Sequence, residues 1–251
     1  MSENNLNFDE YYSEIKTAGK VNFNTSAKND YATNEAFKTL RSNLLFTGSD
    51  IKTILITSTL ENEGKSTIST ELAKSLAEIK KKTLLIDADM RRSTILPRNL
   101  KSQGVLGLAE LLSGQADVEQ VLYNTQMPNF DVIFSSAFPP NPVELLNSEE
   151  FKSLIENFKK SYDYIIIDTP PLGLVIDAAV ISTVCDGAII VVTPNKAKQV
   201  EAIGVKEQLI KSGCRILGAV INETDSKHKD KTRYYKTRSY YYTANSKRNK
   251  R

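Results

Sequence analysis

Two cysteines and one histidine in a chain of 251 residues leave little material for a disulfide framework or a transition-metal centre. Cys185 and Cys214 lack the CxxC spacing of zinc and redox motifs, and His228 has no acidic or cysteine companion at ligand spacing. Free thiols of this kind are usually small buried side chains of a reducing compartment, which is the expectation for both. Long apolar runs are missing too. The longest, such as 187–193, are strand-sized, far short of the roughly 18 residues that a membrane-crossing helix needs. The opening stretch, MSENNLNFDE, is polar and carries no basic-then-apolar leader, so a cytoplasmic protein is expected. No internal repeat is evident.

What is present is apolar material, 40% of the chain, sufficient for a large core. The length exceeds a typical domain, yet α/β folds of this size are often one unit. Three parts are expected. Residues 1–30, rich in Asn, Ser, Lys and Glu, read as a flexible segment with at most a weak helix near Phe8–Ile15. Residues 31–223 read as one α/β domain, and 224–251 as a disordered basic tail. That tail holds ten Lys/Arg and two Asp, a formal +8; because the whole chain carries +3, residues 1–223 carry −5.

Within the domain, Phe37, Leu40, Leu44 and Leu45 recur at helical spacing, and Asn34 followed by Glu35 is a start signal, so a helix is expected over 34–46. Six strand-length apolar runs follow: Thr53–Thr57, Thr83–Ala88, Phe130–Phe134, Tyr164–Asp168, Ala188–Thr193 and Ile216–Asn222. They do not alternate polar and apolar residues, as befits strands covered on both faces, and the stretches between them are long enough for crossover helices. Those helices are expected at about Lys65–Lys80, Gly107–Leu112, Ser148–Lys160, Asp177–Val184 and Lys196–Ser212. The fold class is therefore α/β, a mostly parallel central sheet flanked by helices.

The run ILITS, a loop, and then Gly64-Lys65-Ser66-Thr67 opening a helix provide the context of a P-loop. Loop amides and the first helical turn aim N–H groups at phosphate oxygens. Glu63, Gly64, Lys65, Ser66 and Thr67 form the cradling stretch; Lys65 would reach the outer phosphates and Ser66 would offer its hydroxyl to Mg²⁺. Thr59 stands where the motif has its first glycine, and Asn62 replaces a frequent glycine, an exchange that Asn tolerates because it accepts positive φ.

Two further runs end in carboxylates: Leu84-Leu85-Ile86-Asp87-Ala88-Asp89 and Ile165-Ile166-Ile167-Asp168. Ligands of open α/β sheets bind beyond the carboxyl ends of strands, so these acids face the same crevice as the loop. Mg²⁺ takes one or two carboxylates besides phosphates and water, which leaves one free for proton transfer. Asp87 or Asp89 capping the next segment is the plainer alternative. Arg91 and Arg92 follow, as candidates either for phosphate contact or for a solvated or subunit-facing element.

Five of the eleven tyrosines, Tyr234, Tyr235, Tyr240, Tyr241 and Tyr242, lie in the basic tail. Each phosphate added there would bring about −1.5 to −2 charge. Binding of nucleic acid or an anionic membrane surface would not explain why the tyrosines cluster in runs, and no nucleic-acid partner is expected.

Together the phosphate loop, the Asp-x-Asp-x-Arg strand end, Asp168-Thr169-Pro170-Pro171, the Pro-Pro-Asn-Pro-x-Glu-Leu-Leu stretch at 139–146 and the tyrosine tail resemble the bacterial tyrosine kinases of capsular and exopolysaccharide synthesis. The likeness covers about 33–242 and fits the cytoplasmic form common in Gram-positive bacteria, whose membrane-spanning activator is a separate protein. It implies a P-loop ATPase-like domain using ATP and Mg²⁺. It also implies a ring in which each tail enters a neighbour's site, disassembly on phosphorylation, recruitment to the inner membrane face, and a cognate phosphotyrosine phosphatase. Carried over by position, Asp89 and Asp168 support the metal, Asp87 orients or deprotonates the tyrosine, and Asn222 reads adenine. Glu35, Lys38 and Arg41 match the family's assembly motif, with Lys38 in place of an arginine. Glu61-Asn62 replaces the family's usual Pro-Gly. The rival reading is a non-kinase ATPase switch of the MinD/ParA type, but that group carries a lysine five residues before the catalytic one, where this chain has Leu60.

Overall fold

The computed structural model describes residues 17–22, 31–95, 104–136 and 138–223. Eight strands form one sheet: β1 (Gly19–Val21), β2 (Thr53–Ser58), β3 (Thr83–Asp87), β4 (Leu122–Thr125), β5 (Phe130–Ile133), β6 (Tyr164–Asp168), β7 (Gly187–Val192) and β8 (Ile216–Ile221). The order across the sheet is β1-β4-β5-β3-β6-β2-β7-β8. Among these pairs only β4 with β5 is antiparallel. The helices are α1 (Tyr31–Leu45), α2 (Lys65–Glu78), α3 (Leu108–Leu112), α4 (Val118–Val121), α5 (Pro142–Leu146), α6 (Glu149–Ser161), α7 (Asp177–Ser182) and α8 (Gln199–Lys211).

The six expected strands are all present, with ends shifted by a residue or so. β2, β3 and β6 are buried at every position, as runs covered on both faces must be. Because successive strand residues point to opposite faces, Leu84, Ile86, Ile165 and Ile167 enter one core with Phe151, Ile155, Phe158 and Leu209 of α6 and α8. Leu85 and Ile166 enter the other, with Leu72 and Leu76 of α2 and Leu44 of α1. Each such side chain contributes about 1.5–3 kcal/mol by its burial.

Four short elements depart from expectation. β1 lies inside the segment 1–30 that was expected to be irregular, and pairs Gly19–Val21 with Tyr123–Thr125. β4, α4 and α5, of four or five residues each, are too short to show a periodicity; α5 starts with Pro142 after Asn141, where the missing N–H of proline costs nothing. Helix α1 begins at Tyr31, so Asn34 lies inside it rather than capping it. Helix α6 has the predicted start, with Ser148 accepting a hydrogen bond from the Phe151 amide. Cys214 is buried, whereas Cys185 is only half-buried, and both are free thiols. The possible helix at Phe8–Ile15 and the tail lie outside the described residues.

Among the described residues, no helix is long and apolar enough to cross a membrane.

Candidate functional site

The connection from β2 runs to β3 on one side of the central strands, and that from β6 runs to β7 on the other, so the ends of β2, β3 and β6 open onto one crevice. The register places Asp87 directly beside Asp168 on neighbouring strands. Ile56 of β2 flanks Asp168 on the other side. Each aspartate follows an apolar strand whose burial leaves its last residue no exit except the crevice.

The phosphate loop leaves β2 after Ser58 and reaches α2 through two left-handed residues, Asn62 (φ 60) and Gly64 (φ 87). Asn62 thus adopts the positive φ its side chain tolerates. Gly64 has a second reason to be glycine: a Cβ there would lie 2.0 Å from Asn222 Nδ2. On the opposite side of the loop, a Cβ on Gly173 would meet the Thr59 carbonyl oxygen at 2.2 Å. The Asp-Thr-Pro-Pro turn is tied to β2 by Thr57, whose hydroxyl donates to the Pro170 carbonyl at 3.0 Å and accepts from the Leu172 amide at 3.2 Å.

The carboxylates are almost completely desolvated, with 0% exposure at Asp87, 3% at Asp89 and 1% at Asp168. Lys65 Nζ lies 3.3 Å from Asp89 Oδ2. Asp87 accepts from the Ser93 hydroxyl and, at 3.2 Å, from the Asp89 amide. Asp168 Oδ1 accepts from Ser69 Oγ at 2.8 Å, while its Oδ2 is buried without a protein partner. Burial, then the charge of Asp168, pushes the Asp87 carboxyl up to about 8. Burial also raises Asp168, against the pull of Lys65 and the hydroxyls of Ser66 and Ser69. Buried carboxylates with an orphaned oxygen beside one ammonium and a hydroxyl at Ser66 suit a hard, oxygen-seeking cation. No cluster of three or more acidic, His or Cys side chains that could hold a metal ion occurs among the described residues.

The open cleft in front of these groups has a polar wall of Glu61, Asn62, Lys65, Asp89, Arg91 and Arg92, and an apolar wall of Pro170, Pro171, Leu174 and Val175. Arg91 is committed to the fold: its Nε and NH2 donate at 2.8 and 3.0 Å to the two oxygens of Asp177, itself fully buried at the start of α7. Arg92 pairs with Glu61 across the mouth of the cleft.

The crevice therefore collects Glu63, Gly64, Lys65, Ser66, Thr67, Asp87, Asp89, Asp168 and Asn222. Within it, Glu63 turns its carboxylate inward onto backbone amides, so its side chain does not face the cleft. Asn222 donates from Nδ2 to the Glu63 carbonyl at 2.9 Å, leaving its amide oxygen as the group available to a ligand. Glu35, Lys38 and Arg41 lie elsewhere, on α1. Lys38 and Glu35 form an exposed pair at 2.9 Å. Arg41 turns onto its own α2, donating to the Ser75 carbonyl and hydroxyl at 2.5 and 3.0 Å and lying 3.5 Å from Glu78. The five tail tyrosines lie outside the described residues. Sequence reasoning did not single out Ser69, Ser93, Asp177, Thr193 or Lys196; only Ser69, one helical turn beyond Lys65, had a readable signal.

A family model described as an AAA domain matches residues 51–212. The tyrosine-protein kinase CpsD of Streptococcus agalactiae is 44% identical over 194 residues, 77% of this chain and 84% of that protein. The crystal structure of the chimerical protein CapA2B2 superposes with a TM-score of 0.75 at 30% identity, covering 86% of this chain and 98% of that one. A septum site-determining protein MinD from Pyrococcus horikoshii, complexed with Mg-ADP, shares the fold at a TM-score of 0.60 and 27% identity, over 70% of this chain and 72% of its own.

Proposed function

The chain belongs to the family of bacterial tyrosine-protein kinases, and from that premise we propose that it transfers the γ-phosphoryl group of ATP to tyrosine hydroxyls, including Tyr234, Tyr235, Tyr240, Tyr241 and Tyr242 of neighbouring subunits. The observation that carries this reading is the pairing of buried Asp87 and Asp168 at neighbouring strand ends, with Lys65 of the phosphate loop held against Asp89.

Amides of the loop and of the first turn of α2 hold the phosphates, with Lys65 on the outer ones. Bound Mg²⁺ would supply charge neutralisation between the phosphates, with Ser66, Asp89 and Asp168 as the residues to hold it. Asp87 orients the incoming phenol and takes its proton. The phenolic oxygen forms a bond to the γ-phosphorus as the bond to the bridging oxygen breaks, and ADP leaves with that electron pair. A phenol titrates near 10, and burial raises the Asp87 carboxyl towards it in the ligand-free crevice. Ser93 and the Asp89 amide fix the direction of that carboxylate. Asn222 accepts from the adenine amino group through its amide oxygen, a reading supported by its Nδ2 being held on the Glu63 carbonyl.

The +8 tail is both substrate and switch. Four or five phosphates would cancel or reverse its charge and release its contacts. Ring assembly through α1, activation by a transmembrane partner at the inner membrane face, control of capsular or exopolysaccharide synthesis and reversal by a phosphatase complete the proposal. The shared fold with MinD keeps a non-kinase ATPase switch as the rival; Leu60, where that group has lysine, speaks against it. Incubating the full chain and its activator fragment with Mg-ATP, then mapping phosphotyrosine by mass spectrometry in wild type and Lys65→Met, decides between them. Phosphate on the tail in wild type alone is expected; vigorous ATP hydrolysis without phosphotyrosine would overturn the kinase reading.

A further inference from the structure

Glu63 is fully buried, and among the described residues its carboxylate hydrogen-bonds to the backbone. Oε2 accepts from the amides of Thr59 at 2.8 Å and Leu60 at 2.7 Å, and Oε1 accepts from the amide of Thr193 at 3.0 Å. The Thr193 hydroxyl returns a bond to the Glu63 carbonyl at 3.2 Å. That same carbonyl takes Asn222 Nδ2, and the neighbouring Asn62 carbonyl takes Lys196 Nζ at 2.7 Å. Two amides at the start of the phosphate loop and two carbonyls near its end are thereby held, and Thr193, Lys196 and Asn222 all come from the ends of β7 and β8.

Residues 59–64, Thr-Leu-Glu-Asn-Glu-Gly, include no proline to stiffen the loop locally. A short loop of Thr, Leu, Glu and Asn has many competing conformations, and ordering each residue's backbone costs about 1–2 kcal/mol. A carboxylate accepting several backbone N–H groups is a strong, charge-assisted organiser. We propose that Glu63 is a positioning residue for phosphoryl transfer: an internal anion that draws the amides of Thr59 and Leu60 inward and fastens the loop to the end of β7. The Gly64-Lys65-Ser66 amides and the Lys65 ammonium then meet the nucleotide already in place. The Glu63 carboxylate itself is turned away from the cleft, onto these amides. The inference rests on the crevice being a nucleotide site, and concerns phosphate binding rather than tyrosine transfer.

The geometry makes glutamine a demanding replacement. Both oxygens of Glu63 receive N–H donors, so a carboxamide of equal size must present its own NH2 to a backbone N–H at one end. Calorimetry on the full chain with Mg-ADP and with AMP provides the readout. Glu63→Gln is expected to weaken Mg-ADP at least tenfold while AMP, which lacks the β-phosphate that the loop grips, changes less than threefold. In turnover the KM for ATP should rise by a similar factor with kcat at saturation within threefold. Thr193→Val, which removes only the hydroxyl's bond to the Glu63 carbonyl, should weaken Mg-ADP two- to fivefold, and it decides the matter if the glutamine variant does not fold. A lowered melting temperature with unchanged Mg-ADP affinity, or equal losses for ADP and AMP, would overturn the positioning role. A protein whose Glu63 variant loses Mg-ADP but whose wild type never phosphorylates tyrosine would sink the kinase reading and leave this one standing. A wild type that binds neither nucleotide would overturn both.

Discussion

The two halves of the crevice are built on opposite principles. On the β7–β8 side, the carboxylate of Glu63 is satisfied by backbone amides, and its surroundings are tied by Thr193, Asn222 and Lys196. On the β3–β6 side, three carboxylates are buried, Lys65 is paired with Asp89, and among the described residues Asp168 Oδ2 has no hydrogen-bond partner. One half is complete within the chain; the other is an electrostatic debt that a cation and phosphates would settle. Preorganisation thus belongs to the loop, and charge demand to the acidic strand ends.

The sharpest break of that contrast is at its junction. Lys65→Met removes the ammonium paired with Asp89, and phosphotyrosine formation measured with labelled ATP should fall on the order of a thousandfold.

Asp87→Asn comes next. Tyrosine transfer should drop by roughly 10²–10⁴, the worth of a positioned general base. Stability should move the other way. With its carboxyl raised to about 8, folded Asp87 holds its proton more tightly than the unfolded chain, so this group's contribution is most favourable below about pH 4 and is lost as pH rises towards 8. The asparagine variant escapes that loss, and without ligands it should be about 1–3 kcal/mol more stable than wild type at pH 8 and nearly equal at pH 4. Urea titrations at the two pH values check this; a variant less stable at pH 8 would contradict the picture of an overcharged strand end.

A third experiment reads the acidic half through its ligand. At a hundredfold excess over its dissociation constant, Mg-ADP should stabilise the wild type by about 2.7 kcal/mol. Asp168→Asn should lose most of that increment while its ligand-free melting temperature holds or rises.

The smallest effect belongs to the edge of the complete half. Lys196 and Glu223 pair at 3.0 Å but are half-exposed, so Lys196→Ala should cost at most about 1 kcal/mol in thermal unfolding. Its effect on Mg-ADP affinity should be much smaller than that of Glu63→Gln. Equal effects would mean that the loop is held at its rim rather than from beneath.

Much of this arrangement is readable in one dimension. Short unbroken apolar runs such as Tyr164–Asp168 read as strands covered on both faces, and a carboxylate that closes one lies at the carboxyl end of the sheet. Asn62 and Gly64 announce a left-handed loop because few other residues accept that backbone. Short polar segments were illegible for the opposite reason: Gly19–Val21 and Leu122–Thr125 are strands because a neighbour offers them a ladder, and little in their composition demands it. Arg41 is similar. Its helix and spacing are plain in the sequence, whereas its turn towards Ser75 depends on how α1 lies against α2.

Local chemistry therefore determined which residues could hold phosphate and metal, because a phosphate loop and strand-end carboxylates are defined by positions close together in the chain. Tertiary structure alone decided which charges stay unpaired and which are satisfied. Burial of Asp87 beside the charge of Asp168, and the closing of Glu63 onto Thr193 across 130 positions of sequence, arise only when β3 meets β6 and the loop from β2 meets the end of β7.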